Sequence, residues 1–202
     1  MARLAGQIDV SKNEAILDAA LDVMAERGVG ASMEEIARRA GVSKQTIYNH
    51  YGSKAELAQA MSERRALEVV EVLESPGAVE HPQQTLAAYA RLLLTVAINA
   101  RSMAIYRMAM TAATTMPDVA RAIYEAGPKA SRARLADYLR LENAAGRLSC
   151  PDPLQAAQFF GGLVLGPYQT ASLLGVEFNL TEAEIDRVAE EAAQRFMRAY
   201  AV

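Results

Sequence analysis

One short pattern constrains this chain more than any other: a Ser or Thr followed three residues later by Glu. It occurs as Ser11/Glu14, Ser32/Glu35, Ser53/Glu56 and Thr181/Glu184. In such a pair each side chain satisfies a backbone donor left open at the first turn of a helix, so each pair predicts a helix start. Apolar residues follow at helical spacing. After Ser11 they are Ile16, Leu17, Ala20, Leu21 and Met24, with Gly28 as a stop. After Ser32 they are Met33, Ile36, Ala37 and Ala40, with Gly41 as a stop. After Ser53, Leu57, Met61, Leu67 and Val70 carry a helix to Glu74, where Ser75-Pro76-Gly77 ends it. Ser43 opens a further short helix, with Ile47 inward and Tyr51 closing it before Gly52.

Beyond residue 76 the same signals predict helices over 82–100, 102–115, 117–145, 153–174 and 181–200. Arg101, Met116-Pro117, Gly146, Pro151/Pro153 and Gly175 separate them, and Gly127-Pro128 and Gly166-Pro167 should kink or divide their helices. No stretch alternates as a strand does. The expectation is an all-α protein of about nine helices, with a helix-turn-helix domain over 1–60. The fourth helix leads on to about residue 75, and a second domain occupies 76–202. A hydrophobic content of 51% excludes disorder as the main state.

The single cysteine, Cys150, cannot form an internal disulfide and suits a reducing compartment, as an unreactive thiol in a turn before Pro151. The N-terminal MARLAGQIDVSKNE has no apolar stretch of signal-peptide length. The most apolar run, Leu92 to Ile98, is far short of the roughly 18 residues that cross a membrane. A soluble, cytoplasmic protein without membrane contact is expected. The net charge of −3 does not suggest a nucleic-acid partner, yet it hides a local asymmetry.

That asymmetry lies in GVSKQTIYNHYGSK, Gly41 to Lys54. From Ile36 to Ala55 there are four basic residues, Arg38, Arg39, Lys44 and Lys54, and no acidic one. The helix begun by Ser43 has Thr46 where the others have Glu, which leaves its N-terminus to an anion such as a DNA phosphate. Its outward residues suit base edges and backbone. Gln45 and Asn49 carry amides that match adenine, Thr46 offers a methyl and a hydroxyl, and Lys44 reaches guanine or phosphate. Tyr48 and His50 combine an apolar body with a polar tip for the groove wall. The plain alternative is a solvated helix of accidental polarity. With little more than Gly41 and Val42 between the two helices, the pair reads as a helix-turn-helix whose short member recognises DNA.

The segment ILDAALDVMAERGVGASMEEIARRAGVSKQTIYNHYGSKAELAQAM, Ile16 to Met61, resembles the DNA-binding region of TetR-family transcriptional regulators. The resemblance implies a homodimer of all-α subunits bound to double-stranded DNA at an inverted-repeat operator. By position it assigns DNA contacts to Lys44, Gln45, Thr46, Tyr48, Asn49 and His50, and phosphate contacts to Ser32 and Lys54. Met24 stands where many members have an aromatic, and Gln45 where many have a small residue. The second domain is similar to the regulatory domain of the AefR-like branch through YEAGPKASRARLADYL and DPLQAAQFFGGLVLGP. This implies a ligand cavity and a dimer interface.

Read physically, the helix after Pro153 has rows Ala157, Gly161, Leu165 and Ala156, Phe160, Val164, Tyr168, and the last helix has Ile185, Val188, Ala189, Ala192 and Phe196 on one face. Ala157, Gly161, Val164, Leu165, Tyr168, Val188, Ala192 and Phe196 are the interface candidates for a four-helix contact about a two-fold axis. Alternatively both stripes pack on their own subunit. Met103, Tyr106, Met110, Tyr124, Phe159 and Phe160 are candidate lining for an uncharged, largely hydrophobic effector, or plain core. His50 and His81 have no partners at metal-ligand or catalytic spacing. No catalytic site, metal or cofactor is expected. The favoured reading is a ligand-responsive repressor; the other is a helical enzyme or small-molecule carrier with a vestigial head. Shift of promoter DNA in a gel separates them.

Overall fold

The computed structural model describes residues 10–176 and 179–202, so the reading of the stretch before Val10 lies outside the described residues. Its helices are α1 (Val10–Arg27), α2 (Met33–Ala40), α3 (Lys44–Tyr51), α4 (Lys54–Val70), α5 (Pro82–Ile98), α6 (Ala100–Thr115), α7 (Pro117–Tyr124), α8 (Ala130–Ala144), α9 (Pro153–Leu173) and α10 (Glu182–Tyr200). A π-helical turn, Glu125–Lys129, joins α7 to α8 without a break, so the described residues form nine helical rods and no strand. The expected all-α architecture is present.

Side-chain caps start five of the described helices, α2, α3, α4, α9 and α10. Ser32 with Glu35 and Thr181 with Glu184 form reciprocal boxes, and Ser53 accepts the Glu56 N–H at 3.1 Å. Ser11 instead lies inside α1, and the Glu14 carboxylate takes an ion pair from Arg64 at 2.8 Å. The two Gly-Pro pairs behave differently. Pro128 has no N–H and its ring excludes the carbonyl four residues back, and the chain passes it in the wider π turn. Gly166 leaves helical geometry altogether, at φ 38° and ψ −129°, and bends α9 before Pro167.

The chain folds into two compact units that do not follow its order. One comprises the described part of Met1–Arg64 with Ala100–Gly127; the other is Arg65–Asn99 with Pro128–Val202. The expected boundary near residue 75 therefore differs from the packing, because α6 and α7 join the N-terminal helices. The cause is visible on α1. Its buried residues Ile16, Leu17, Ala19, Ala20, Leu21, Val23 and Met24 sweep an arc of about 200° at about 100° per residue. A helix docked on one side needs only about half of that. Ile36, Ile47, Leu57 and Met61 share one cluster with α1, as do Ile105, Met108, Val119 and Ile123. Leu67, read as part of α4's inward row, is exposed.

The second unit is built around rings. Phe160 on α9 meets Phe196 on α10 edge-on, with centroids 5.2 Å apart, and Tyr89 on α5 lies 6.2 Å from Phe160. The Tyr89 hydroxyl shares a 2.8 Å hydrogen bond with Ser131 Oγ on α8. The fully buried Glu142 is held by both Arg147 Nε, at 2.7 Å, and Nη2, at 3.1 Å. This fork braces the turn after α8, where Ser149 N–H donates to Tyr200 O at 2.7 Å. Asn143 clamps the backbone of Cys150 from both sides, and burial pushes that thiol's pKa up, in keeping with an unreactive cysteine.

Candidate nucleic-acid interface

Gly41 ends α2 at φ 66°, a conformation that costs a side chain and that glycine adopts freely. The chain turns there, and Ser43 starts α3 two residues later. Ser43 Oγ accepts the Thr46 N–H at 3.0 Å and shares a second hydrogen bond with Thr46 Oγ1 at 2.7 Å. The first turn of α3 contains no acidic residue, whereas α2, α4 and α10 each have at least one there. The positive end of the α3 dipole thus has no carboxylate within its own first turn.

Ile47 and Tyr51 anchor α3 in the core of its unit. The Tyr51 hydroxyl donates to Asn13 Oδ1 on α1, and burial raises its pKa to about 12, so it remains a donor at neutral pH. With those two residues inward, Lys44, Gln45, Tyr48, Asn49 and His50 are exposed and Thr46 is half-buried. The structure thus exposes five of the six expected contact residues of α3, with Thr46 partly covered. They are already organised: Gln45 Nε2 donates to Asn49 Oδ1 at 2.6 Å, Lys44 Nζ lies 5.9 Å from the Tyr48 ring centre, and His50 packs edge-on against Tyr51.

Ser32 and Lys54 flank this surface with different freedom. Ser32 is exposed, but its hydroxyl accepts the Glu35 N–H and donates to Glu35 Oε2, both at 3.1 Å. Lys54, the first residue of α4, is half-buried. Burial lowers its pKa, and the nearby Glu35 acts in the opposite direction.

The charge count along the sequence overstates the field in space. Arg39 is held by both carboxylate oxygens of Glu26 on α1, the closest at 2.8 Å, which lowers the Glu26 pKa and raises that of Arg39. Glu34 on α2 lies 3.9 Å from Lys44. A segment without acidic residues in the chain therefore has acidic neighbours from other helices. Sequence spacing carries no sign of these pairs.

The remaining candidates scatter. Met103 is buried, Tyr106 half-buried, and Met110 and Tyr124 exposed, all in the first unit; Phe159 and Phe160 belong to the second. Phe160 has no exposed surface and packs in the ring cluster, so it is a core residue rather than ligand lining. Of the interface candidates, Ala157, Val164, Ala192 and Phe196 are buried in their own unit, and Gly161, Leu165, Tyr168 and Val188 are half-buried. The outward face of α10 instead carries Glu190, Glu191, Gln194, Arg195 and Arg198. On α9 the exposed set is mixed: Phe159 is 57%, Leu163 45% and Leu154 43% exposed, beside exposed Gln155, Gln158 and Thr170. A clue was present in the sequence, since α9 carries more apolar residues than one face can hold.

Comparison with known proteins gives a consistent picture. Residues 16–61 match the family described as bacterial regulatory proteins, tetR family, and residues 84–202 match the C-terminal domain of AefR-like transcriptional repressors. A crystal structure of a TetR-family regulator from Mesorhizobium loti is similar at a TM-score of 0.77 and 27% identity, covering 96% of this chain and 100% of that one. The flavonoid-responsive regulator FrrA is similar at a TM-score of 0.72 and 31% identity, covering 94% of this chain and 97% of its own. Among curated proteins, the uncharacterized regulator YxbF of Bacillus subtilis is 38% identical over 72 residues, which are 33% of this chain and 19% of YxbF. The match thus spans less than two thirds of that relative's length.

Proposed function

The chain belongs to the TetR family of bacterial transcriptional regulators, which are DNA-binding proteins and not enzymes, and from that premise we propose a repressor released from DNA by a small aromatic or hydrophobic molecule. The observation that carries the DNA half is the α3 surface, where Lys44, Gln45, Tyr48, Asn49 and His50 stand exposed on a helix anchored by Ile47 and Tyr51. Amides and a lysine on a helix of this size fit the major groove, and Lys54 and Ser32 flank it as phosphate contacts.

Family members act as dimers. Here the second copy docks on α9 through Leu154, Phe159 and Leu163, because these large apolar side chains stand exposed on the subunit. Two heads then address an inverted repeat whose half-sites lie about 34–36 Å apart, or adapt to that spacing. A DNA target is in keeping with the expected cytoplasmic location.

The effector half is supported by the likeness to a flavonoid-responsive regulator, and Tyr106, half-buried beside the buried Met103 on α6, is the remaining lining candidate. Ligand and DNA favour different settings of the two heads. A coupling of about 1–3 kcal/mol then weakens DNA binding about 5- to 150-fold, and DNA weakens ligand binding equally. The test is a gel shift with the DNA upstream of the protein's own reading frame, repeated with a panel of flavonoids and other planar aromatics. A shifted band that one of them releases is expected. A band that none of the panel moves removes the aromatic effector, and no band at any salt concentration removes operator binding there.

A further inference from the structure

We infer that Gln45 and Asn49 read DNA as one hydrogen-bonded unit over a single base step (two adjacent base pairs) containing adenine, rather than as two independent contacts. The inference rests on the DNA-binding reading above. A lone primary amide is ambiguous, because half a turn exchanges its carbonyl with its NH2 group. The 2.6 Å bond from Gln45 Nε2 to Asn49 Oδ1 removes that ambiguity. With Gln45 nitrogen facing Asn49 oxygen, the Gln45 carbonyl and the Asn49 NH2 are left to face outward. Reversing the bond exchanges the roles without changing the outcome: one residue still offers an acceptor and the other a donor.

Position and neighbours favour the pair as a unit. An i,i+4 separation puts both side chains in one row of α3, and both are exposed. The Thr46 hydroxyl is engaged by Ser43, and the Lys44 ammonium lies between Glu34 and the Tyr48 ring. In the major groove adenine presents an amino donor, N6, beside an acceptor, N7; guanine presents two acceptors, O6 and N7. An outward acceptor and donor complement adenine, whereas on guanine the acceptor would meet O6. Removing either residue frees the other to rotate, so both substitutions should erase the same preference.

The test uses the full chain and a randomised duplex library, with relative affinities taken from sequenced bound and unbound pools. Wild type, Gln45→Ala, Asn49→Ala and the double variant are compared, and melting curves establish that all four fold. Each single variant is expected to lose about tenfold in its preference for adenine over guanine at the same base step. The double variant should lose no more than either. Gln45→Glu adds a directional check. A carboxylate only accepts, so Asn49 must turn its NH2 toward it, leaving two outward acceptors and a preference shifted toward bases with amino groups, cytosine included. Losses at separate positions, a double-variant loss equal to the product of the two, or an unshifted preference in Gln45→Glu would overturn the pairing alone. A wild-type chain that enriches no sequence would overturn the DNA reading and the pairing with it.

Discussion

Helices α3 and α9 each bury one face in their own unit and expose another, and only the exposed face of α9 carries large aliphatic and phenylalanine side chains. On α3 the buried residues are Ile47 and Tyr51, and the exposed ones are polar and bonded among themselves. On α9 the buried residues are Ala156, Ala157, Phe160 and Val164, and the exposed ones include Leu154, Phe159 and Leu163. Where a short helix has few apolar residues, polarity separates inside from outside, and the outward set can be read for its chemistry. Where a helix carries large apolar residues on more than one face, as α9 does, polarity alone does not separate inside from outside. Exposed apolar residues of this kind are what the proposed docking of a second copy would cover. The first helix announces its partner by hydrogen-bonding groups, and the second only by lacking cover.

The adjoining phenylalanines of α9 give this contrast its largest expected effect. Phe160→Ala opens a cavity among Tyr89, Phe196 and their neighbours and should cost about 3–5 kcal/mol in denaturant unfolding, read at fixed protein concentration. Phe159→Ala should leave the subunit's own packing intact. Phe159→Arg should separate the copies, at a cost of about 2–4 kcal/mol to association, and light scattering should find monomers that no longer hold an inverted repeat. If Phe160→Ala proves harmless, or Phe159→Arg stays dimeric, the assignment of inner and outer faces on α9 is reversed.

This difference in legibility runs through the whole molecule. The starts of α2, α4 and α10 followed from Ser/Thr-x-x-Glu pairs because capping is local chemistry, and the α3 surface followed from Ile47 and Tyr51 being its only anchors. What involved distant segments was hidden. The dock of α6 and α7 showed only as Ala19 and Val23 widening the buried arc of α1, two small residues easily passed over. The Glu26 fork on Arg39 joins residues from different helices, and no spacing rule predicts it. Phe159 and Phe160 are neighbours with identical side chains, yet one is outside and one is the centre of the core. Composition cannot distinguish them; only the angle of the helix can.

The smallest expected effect belongs to the rim of the α3 surface. Hydrogen bonds from the Ser32 backbone and hydroxyl hold Glu35 below its ordinary pKa of 4.5. A carboxylate with a lowered folded pKa stabilises fully above its unfolded value, and loses that contribution as pH falls through the folded one. The difference in melting temperature between wild type and Glu35→Gln should therefore be steady from about pH 7 to 5, and vanish as the acid is protonated below 4.5. A difference that persists undiminished at the acid end would assign the effect of Glu35 to packing instead of its charge.

The central claim is that α3 reads DNA while α9 joins the copy that holds the second α3. Selection of bound fragments from sheared genomic DNA by the full-length protein tests it most directly. The account predicts enriched fragments that share an inverted repeat, with the two half-site centres about one helical turn apart or a multiple of it. Enrichment of single half-sites without a mirrored partner, or none above bulk DNA, would contradict it.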